Sequence, residues 1–345
     1  MAPVELRTLG RTGTAVTAYA LGTMTFGAES DEAASHAMLD RYLDAGGNFV
    51  DTADVYTRGA SERIIGNWLK KSGRRDEIVL ATKARFPMGD GPNDAGLSRT
   101  HIQRACDASL ERLGTDTIDL YQAHCWDPVT PLEETLAAFD ELVSAGKVRY
   151  IGISNFAGWQ LQRAAFTARQ SGLAPIVTLQ PQYSLLAREI EWELVPLCLD
   201  EGIGMLPWSP LGGGWLTGKY DRDQRPSGAT RLGEDPDRGS EAYDRRNTDR
   251  TWAVVDAVEE IASDHGASMA QVALAWVTQR PGVASTILGT RTVEQLDDNL
   301  GAAELKLDDA QVARLNEVSD PGLPAYPYGF IDEMSRSGRA ELLGA

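Results

Sequence analysis

The stretch Gly-Asn-Phe-Val-Asp-Thr, residues 47–52, is a short apolar run that ends in a carboxylate, Asp51. Residues 77–83 and 117–124 have the same design, because each is an apolar run with a charged or polar side chain at its C-terminal end. A turn and a segment with helical periodicity follow each run, which is typical of a β-strand that leads into an α-helix. The three stretches therefore predict repeated β/α units.

Alternating strand and helix patterns extend on both sides of these stretches. The predicted strands are residues 18–21, 49–51, 77–83, 117–123, 148–154, 177–180, 204–209 and 285–288. The predicted helices are residues 31–45, 61–70, 98–113, 131–145, 159–171, 191–201, 247–265, 269–278 and 293–300. Eight such units favour an α/β fold, a closed (β/α)8 TIM barrel, over an open sheet.

Several helix ends carry recognisable signals. Asp31 is a predicted N-cap, and Gly46 is predicted to follow the end of the same helix. Residues 61–63 are predicted to cap the next helix, and Gly73 to stop it. These signals indicate where strands give way to helices on the outside of the barrel.

Four segments stand outside the repeat. A β-hairpin is predicted around residues 10–13, before the barrel, and residues 86–97, residues 212–248 and the tail beyond Leu305 are extra loops or helices. A loop after the seventh barrel strand lies on the face that carries active sites. The 212–248 segment is therefore a lid over the site or, over residues 222–248, a disordered excursion.

The composition is that of an ordinary globular protein, with 345 residues, 42% of them hydrophobic and 24% charged. We expect one barrel domain over residues 1–345. The net charge of −17 predicts that neither nucleic acid nor an anionic membrane is a partner, because phosphate groups would be repelled over most of the surface. A site for phosphate must then be local.

The sequence also bears on location and metal binding. The first residues have no basic segment followed by an apolar one, and no apolar run reaches the roughly 20 residues of a membrane span. We therefore expect a cytoplasmic protein. Cys106, Cys125 and Cys198 are scattered without C-x-x-C spacing, so neither a disulfide framework nor a metal site is predicted.

Four polar residues lie at or just beyond the ends of predicted strands: Asp51, Tyr56, Lys83 and His124. In a (β/α)8 barrel the C-terminal strand ends face the active site, so these side chains are expected to meet there. Each residue alone has a structural explanation, as a turn, packing or core residue. Their shared position at strand ends favours a common function.

A carboxylate, a phenol, an ammonium and an imidazole together form a proton-donor system. Tyr56 is the expected general acid, and Lys83 is expected to lower the pKa of its phenol from the ordinary value of about 10. Asp51 keeps Lys83 charged and oriented, while His124 donates a hydrogen bond to the substrate oxygen or helps to relay the proton. Hydride addition to a carbonyl creates such an oxygen anion without a metal and requires a nicotinamide cofactor.

Several strings in the chain resemble the aldo-keto reductase superfamily. They are residues 46–56, 61–62, 81–83 and 119–124, and the resemblance covers essentially the whole chain. It implies a (β/α)8 barrel that uses NADP(H) with an Asp, Tyr, Lys and His tetrad at Asp51, Tyr56, Lys83 and His124. The string at residues 124–127 looks like the bacterial and channel β-subunit branch more than the smaller aldose-reductase branch.

Later strand ends suggest the nicotinamide end of a cofactor site. Ser154, Asn155 and Gln180 offer hydroxyl and amide groups suited to a carboxamide, and Trp208 offers a flat face to the nicotinamide ring. The resemblance implies the same roles for these four residues. As alternatives, the amides are turn or strand-end residues and Trp208 belongs to the core. Cofactor contacts are also assigned to Thr23, Met24 and Asp51.

A glycine-rich stretch, residues 209–219, follows and suits a pyrophosphate through its backbone N–H groups and one cation. Its predicted contacts are Ser209, Pro210, Leu211, Gly213 and Lys219. Part of the stretch matches an ATP-binding phosphate loop, but Tyr220 stands where that loop needs a Ser or Thr for Mg²⁺. A Rossmann fingerprint is also missing, so the dinucleotide is expected to bind on the barrel itself.

Residues 287–292 run into the helix predicted at 293–300, where a helix N-terminus and Arg291 form a local anion site. The resemblance implies that Arg291, Gln295 and Asn299, beyond Gly289, bind the adenosine phosphate and adenine, which favours NADPH over NADH. The alternative is that Arg291 pairs with a surface carboxylate.

The substrate is expected to be a small aldehyde or ketone. Its predicted contacts are Tyr56, His124 and Trp126. Specificity is expected to come from Met24, Thr25, Phe26, Trp126 and the loops at residues 86–97 and 212–248. Two alternatives stay open: a cofactor-binding regulatory subunit that resembles potassium-channel β-subunits, and a specialised reductase for pyridoxal or a keto-sugar. The sequence does not predict the oligomeric state.

Overall fold

A computed structural model describes residues 5–228, 230–237 and 239–335 of the chain. Two segments lie outside the described residues: residues 1–4, which begin the stretch where no leader segment is expected, and residues 336–345 of the C-terminal tail. The expectation of one domain over residues 1–345 therefore extends beyond the described part. Among the helices within it, none is long and apolar enough to cross a membrane.

The strands form a hairpin and an eight-stranded parallel sheet. The hairpin strands are β1 (Leu6–Thr8) and β2 (Ala15–Thr17). The sheet strands are β3 (Tyr19–Gly22), β4 (Phe49–Asp51), β5 (Val79–Ala84), β6 (Ile118–Ala123), β7 (Val148–Ser154), β8 (Ile176–Gln180), β9 (Gly204–Met205) and β10 (Thr286–Gly289). β10 pairs with β3, and the remaining strands follow in chain order.

Backbone hydrogen bonds next to β9 and β10 close the sheet. The Met205 amide donates to the Gly282 carbonyl at 2.8 Å, and the Ala284 amide donates to the Met205 carbonyl at 2.8 Å. Further along, the Ile287 amide donates to the Pro207 carbonyl at 3.0 Å. The predicted (β/α)8 barrel with an N-terminal hairpin is thereby confirmed.

Helices cover the outside of the barrel. They are α1 (Glu32–Asp44), α2 (Ala60–Ser72), α3 (Arg99–Leu113), α4 (Leu132–Ser144), α5 (Gly158–Gln170), α6 (Leu194–Glu201), α7 (Arg231–Glu234), α8 (Tyr243–Arg246), α9 (Asp249–His265), α10 (Met269–Thr278), α11 (Val293–Leu300), α12 (Asp309–Ser319) and α13 (Phe330–Ser335). α7 and α8 lie in the 212–248 segment, and α12 and α13 lie in the tail, so both segments contain secondary structure.

The strands read as apolar runs because they are buried on both faces. Side chains alternate along a strand, so one set faces the helices and the other fills the barrel. Phe49, Leu120 and Val177 pack together in the second set, with Leu9 and Val16 of the hairpin segment. The hairpin therefore closes the N-terminal end of the barrel, and the C-terminal strand ends remain for a site.

Most predicted helix ends agree with the structure. Asp31 caps α1, since its carboxylate accepts the Ala34 amide at 2.8 Å. The cap predicted at residues 61–63 is wrong: α2 begins at Ala60 after a left-handed Gly59, with φ of 81°. Ser61 is instead buried inside the first turn of α2, because tertiary contacts rather than capping determine its place.

The strand predicted at residues 204–209 is shorter in the structure. Only Gly204–Met205 forms a strand, and the chain then continues through Pro207, which lacks a backbone N–H for sheet pairing. Trp208 makes an isolated bridge with Gln182. The apolar run continues past β9 because its side chains remain buried, although the ladder has ended.

Gly66 tests the close packing of α2 against α3. A Cβ atom at this position would lie 2.3 Å from the Arg112 carbonyl oxygen and 2.9 Å from the Leu113 carbonyl carbon. Gly66→Ala should lower the free energy of unfolding by about 1–3 kcal/mol in urea denaturation, because backbone atoms must move apart. Gly13→Ala is the control, because nothing lies within 4 Å of its added Cβ. Equal stability of the two variants would contradict the close approach of the helices.

Candidate active site

Lys83 lies at the centre of a buried polar cluster at the C-terminal strand ends. Its side chain is fully buried. The Nζ atom donates to Asp51 Oδ2 at 2.6 Å, to the Thr52 carbonyl at 2.8 Å and to the Tyr56 hydroxyl at 3.2 Å. Burial opposes the charge on Lys83, but Asp51 and Tyr56 outweigh it and raise the pKa of the ammonium. Lys83 is therefore a fixed, charged group.

Asp51 is held on both carboxylate oxygens. Oδ2 accepts from Lys83, while Oδ1 accepts from Gln180 Nε2 at 2.9 Å and from Gln122 Nε2 at 3.3 Å. β4 pairs in parallel with β5, which brings Asp51 opposite Ala81 and within reach of Lys83. The carboxylate balances the buried ammonium and orients it toward Tyr56.

Tyr56 follows β4 in a tight turn and is half-buried. Thr57 and Arg58 adopt left-handed φ angles of 49° and 51°, which turns the chain sharply after the tyrosine. Burial raises the pKa of the Tyr56 phenol, although the ammonium of Lys83 lowers it. The net direction is opposite to the one expected from Lys83 alone, so the phenol keeps its proton at neutral pH.

His124 lies beside Tyr56 on the cavity wall. Its ring is edge-on to Tyr56, with centroids 5.8 Å apart, and edge-on to Phe86, with centroids 4.8 Å apart. Burial, then Lys83 and Arg85, lowers the pKa of the imidazole well below its ordinary value. Nδ1 is buried without a hydrogen-bond partner among the described residues. At neutral pH the ring is uncharged.

A cavity of about 630 Å³ opens at the C-terminal strand ends and contains most of the predicted site residues in its wall. Of the tetrad, Asp51, Tyr56 and His124 line it, while Lys83 lies behind them. The predicted cofactor residues in the wall are Thr23, Met24, Asp51, Asn155, Gln180, Trp208, Ser209, Pro210, Leu211, Gly213, Lys219, Gly289, Arg291, Gln295 and Asn299.

Three predicted residues lie outside the wall. Ser154 is buried, donates to the Gln180 carbonyl at 2.8 Å and accepts from Asn155 Nδ2 at 3.0 Å. Trp126 packs its ring against Phe156 and Trp159 instead of the cavity. Phe26 is fully buried in the core. The predicted direct contacts of these three residues with ligands are therefore not supported by their positions.

The amides near the tetrad are engaged with one another. Asn155 has a left-handed φ of 55°, and its Nδ2 donates to the His124 carbonyl at 2.9 Å. Its Oδ1 accepts from the Trp208 indole at 3.2 Å. Asn155 therefore links the strand end that carries His124 to the aromatic face of Trp208.

The 212–248 segment folds around its own aromatic residues. Trp215 is buried, stacks on Tyr243 at a centroid distance of 5.5 Å and donates its indole N–H to the Glu241 carbonyl at 3.0 Å. Tyr220 donates its hydroxyl to the Gly213 carbonyl at 2.9 Å. The alternative that residues 222–248 are a disordered excursion is wrong for the described residues among them, which include α7 and α8 and contribute Thr230 and Arg231 to the cavity wall.

Three cations gather at the far end of the cavity: Lys219, Arg231 and Arg291. Burial, then the positive charges of Arg291 and Arg231, lowers the pKa of Lys219, because neighbouring cations disfavour a further positive charge. Arg291 contacts two carboxylates, with Glu234 at 3.2 Å and Glu29 at 3.5 Å. Positive charge of this density, in a chain of net charge −17, suits an anionic ligand.

Several wall residues were not named individually from the sequence, although Phe86, Gly214, Thr217, Thr230 and Arg231 lie in segments predicted to reach the site. They are Gly22, Phe86, Gly214, Thr217, Thr230, Arg231, Ser268, Met269 and Ala270, together with Leu274 of α10 and Asp298 of α11. Some local signals were present: Thr230 caps α7, and Ser268 forms a capping box with Gln271 at the start of α10. These signals locate helix starts, but only the tertiary fold directs them toward the cavity.

Comparison with known proteins agrees with this arrangement. The family model described as the aldo/keto reductase family matches residues 19–320. The chain belongs to the aldo/keto reductase family. It is 41% identical over 324 residues to the uncharacterized oxidoreductase YrpG of Bacillus subtilis, which covers 91% of this chain and 96% of the relative.

Two further relatives place the chain among bacterial and channel-subunit members of the family. Protein tas of Escherichia coli is 37% identical over 331 residues, covering 88% of this chain and 94% of the relative. A probable voltage-gated potassium channel subunit beta of Oryza sativa is 36% identical over 305 residues, covering 88% and 92%. The predicted resemblance to this family and branch is confirmed.

Asp54 is a buried carboxyl group next to this site. It is fully buried, and neither of its side-chain oxygens has a hydrogen-bond partner among the described residues. Burial and then the nearby Glu62 raise its pKa to about 7. Glu62, in contrast, accepts from Thr82 at 2.6 Å and from Arg112 at 2.6 Å.

The raised pKa of Asp54 makes stability depend on pH. The unfolded group ionises near pH 3.9, so folding favours the proton between that pH and about 7, and stability falls as pH rises through this window. Asp54→Asn should therefore unfold at a higher temperature than wild type, with a gap that widens from about pH 5 to about pH 7 and levels off by about pH 8. Thermal unfolding across this range tests the prediction, and a constant gap or a less stable variant would oppose it.

Proposed function

We propose that the protein is an NADPH-dependent reductase that converts aldehydes and ketones to alcohols, with Tyr56 as the general acid. The observation that carries the proposal is the 3.2 Å contact between Lys83 Nζ and the Tyr56 hydroxyl at the wall of the cavity. Membership of a family of oxidoreductases supports it. A relative from Schizosaccharomyces pombe, 35% identical over 297 residues, is named aldo-keto reductase yakc [NADP(+)].

The cavity fits a nicotinamide dinucleotide in its distribution of charge. Lys219 and Arg231, two cations of the cavity wall, suit a pyrophosphate, and Arg291 precedes the N-terminal end of α11, where backbone N–H groups favour an anion. Gln295 and Asn299 on α11 suit the adenine. When bound, the reduced cofactor supplies a hydride to the carbonyl carbon.

Residues near the tetrad suit the nicotinamide end. Trp208 presents an aromatic face, and its indole N–H is fixed by Asn155. The Gln180 amide nitrogen is engaged by Asp51, so its amide oxygen is the group suited to accept a carboxamide N–H. Ser154 contributes indirectly, because its hydroxyl accepts from Asn155 and holds that amide in place.

The proton step follows from the geometry around Lys83. During reduction, negative charge would grow on the carbonyl oxygen, and the Tyr56 hydroxyl would transfer its proton to that oxygen. The phenolate that remains is stabilised by the ammonium of Lys83, whose own charge is balanced by Asp51. His124 is uncharged and hydrogen-bonds the same oxygen. The product is an alcohol, and solvent later returns a proton to Tyr56.

The substrate end of the cavity is partly aromatic, with Phe86, Trp208 and Tyr56 in its wall together with Met24 and His124. Apolar walls discriminate by only about 1–3 kcal/mol per methylene group, so we propose broad use of small aldehydes and ketones. A preference for pyridoxal or a keto-sugar is the specialised form of the same proposal. We further propose a single-domain cytoplasmic enzyme.

A regulatory role is the second candidate function. The Oryza sativa relative, 36% identical to this chain, is named a probable voltage-gated potassium channel subunit beta and not an enzyme. A protein of this kind would bind NADPH and reduce none of the carbonyl compounds supplied.

Tyr56→Phe tests the assigned general acid. Removing the hydroxyl leaves the ring in place, so NADPH-dependent carbonyl reduction should fall by a factor of about 100 or more. The NADPH dissociation constant should stay within about twofold, because binding energy comes mainly from other parts of the site. NADPH oxidation should be followed with aromatic aldehydes, short aldehydes, pyridoxal and keto-sugars.

Tyr150→Phe is the matched control, because Tyr150 bonds Thr14 near the hairpin, at the opposite end of the barrel. Its activity should equal that of wild type. If Tyr56→Phe retains activity within a few-fold of wild type, another group is the acid. If wild type binds NADPH but reduces no compound on the panel, the regulatory function is favoured.

A further inference from the structure

Arg291 is held by a carboxylate from the 212–248 segment. Nη1 and Nη2 of its guanidinium each donate to one oxygen of Glu234 at 3.2 Å, which is a bidentate salt bridge. Glu29 also approaches Nη2, at 3.5 Å. Arg291 lines the cavity, so these two carboxylates lie at the edge of the region proposed for the adenosine phosphate.

α7 connects this pairing to the centre of the cavity. Thr230 caps the helix by accepting the Gly233 amide at 2.9 Å. Arg231, the first residue of α7, lines the cavity, and Glu234, the last, contacts Arg291. α7 therefore places Arg231 at the region proposed for the pyrophosphate. It also places Glu234 against Arg291, the residue proposed to bind the 2′-phosphate.

A 2′-phosphate and the Glu234 carboxylate need the same donors. The guanidinium of Arg291 offers a planar fork of N–H groups that pairs with one carboxylate or one phosphate at a time along a given edge. Two carboxylates already surround this single cation, so a phosphate that approaches it also meets negative charge. NADH has no 2′-phosphate and can bind while the pair remains intact.

We propose that Glu234 is a specificity-determining residue, which competes with the 2′-phosphate of NADPH for Arg291 and thereby narrows the preference for NADPH over NADH. The inference rests on the proposed cofactor function. A 2′-phosphate that binds the Nη1 and Nη2 edge of Arg291 requires the Glu234 carboxylate to leave that edge, whereas NADH binding does not. Ribose hydroxyls of NADH, being hydrogen-bond donors, can instead face a carboxylate.

The pair is partly exposed, with 22% of the Arg291 side chain and 45% of the Glu234 side chain accessible, so its strength is modest. Removal of the Glu234 charge releases Arg291 from this pair and removes the repulsion between Glu234 and the phosphate. The affinity for NADPH should then rise by about three- to tenfold. A change of this size is measurable by direct binding.

The test measures dissociation constants of wild type and Glu234→Gln for NADPH, NADH, 2′,5′-ADP and 5′-ADP by calorimetry. Glu234→Gln keeps the side-chain shape and removes the charge. NADPH and 2′,5′-ADP should bind about three- to tenfold more tightly to the variant, and NADH and 5′-ADP should bind within about twofold of wild type. The affinity of wild type for NADPH should also weaken more steeply with salt than that for NADH.

Glu294→Gln is the matched control, because Glu294 is exposed on α11 and its carboxylate is hydrogen-bonded by Thr292. It removes one negative charge near the same cavity without touching Arg291, so it should leave the NADPH to NADH ratio unchanged. The proposal fails if Glu234→Gln binds NADPH no more tightly than wild type, or if Glu294→Gln has the same effect. If neither NADPH nor NADH binds to wild type, the proposed cofactor function itself fails, even if 5′-ADP binds.

Discussion

The structure of the site depends on one buried ammonium group, that of Lys83. An isolated charge in this position would be strongly unfavourable, so the surrounding groups must compensate it. Asp51 supplies the opposite charge at 2.6 Å, and the Thr52 carbonyl accepts a second hydrogen bond at 2.8 Å. The remaining N–H direction points to the Tyr56 hydroxyl. The groups that balance the charge of Lys83 thus orient its ammonium toward the Tyr56 hydroxyl, where it can stabilise a phenolate.

The barrel provides the rigid frame for this contact. Asp51 ends β4, and Thr52 and Tyr56 follow it, while Lys83 belongs to β5, the neighbouring parallel strand. Ser61, at the start of α2, donates to the Thr23 carbonyl at 2.9 Å and contacts the Thr52 hydroxyl at 2.9 Å. Ser61 therefore links the ends of β3 and β4 through hydrogen bonds. Parallel strands bring residues that are distant in sequence to a common face, which is why the tetrad can be spread over 74 positions, from 51 to 124.

Much of this architecture could be predicted from the sequence. Apolar runs identified the strands because parallel strands are buried on both faces, and polar residues at their ends identified the tetrad. The sequence could not decide which of two neighbouring residues faces the cavity. Ser154 and Asn155 are adjacent at a strand end, and a left-handed φ at Asn155 determines that the amide enters the wall.

Other features depend on contacts that have no local pattern. Arg231 lies in a segment without periodicity, and its place in the wall depends on the aromatic residues that fold that segment. Trp126 lies outside the cavity wall, and its ring packs against Phe156 and Trp159 from a neighbouring loop and helix. The pairing of Arg291 with Glu234 joins residues 57 positions apart and was visible only as a general possibility in the sequence.

The most direct test of the account is a single-turnover measurement of hydride transfer from NADPH in the double variant Asp51→Asn, Lys83→Met. This variant removes both charges, so no unpaired ion is left buried, while Tyr56 and His124 remain. The account predicts that NADPH still binds within a few-fold of wild type and that hydride transfer slows by a factor of about 100 or more, because the phenolate has lost its stabilising cation. Transfer at a rate within a few-fold of wild type would contradict the central role of Lys83.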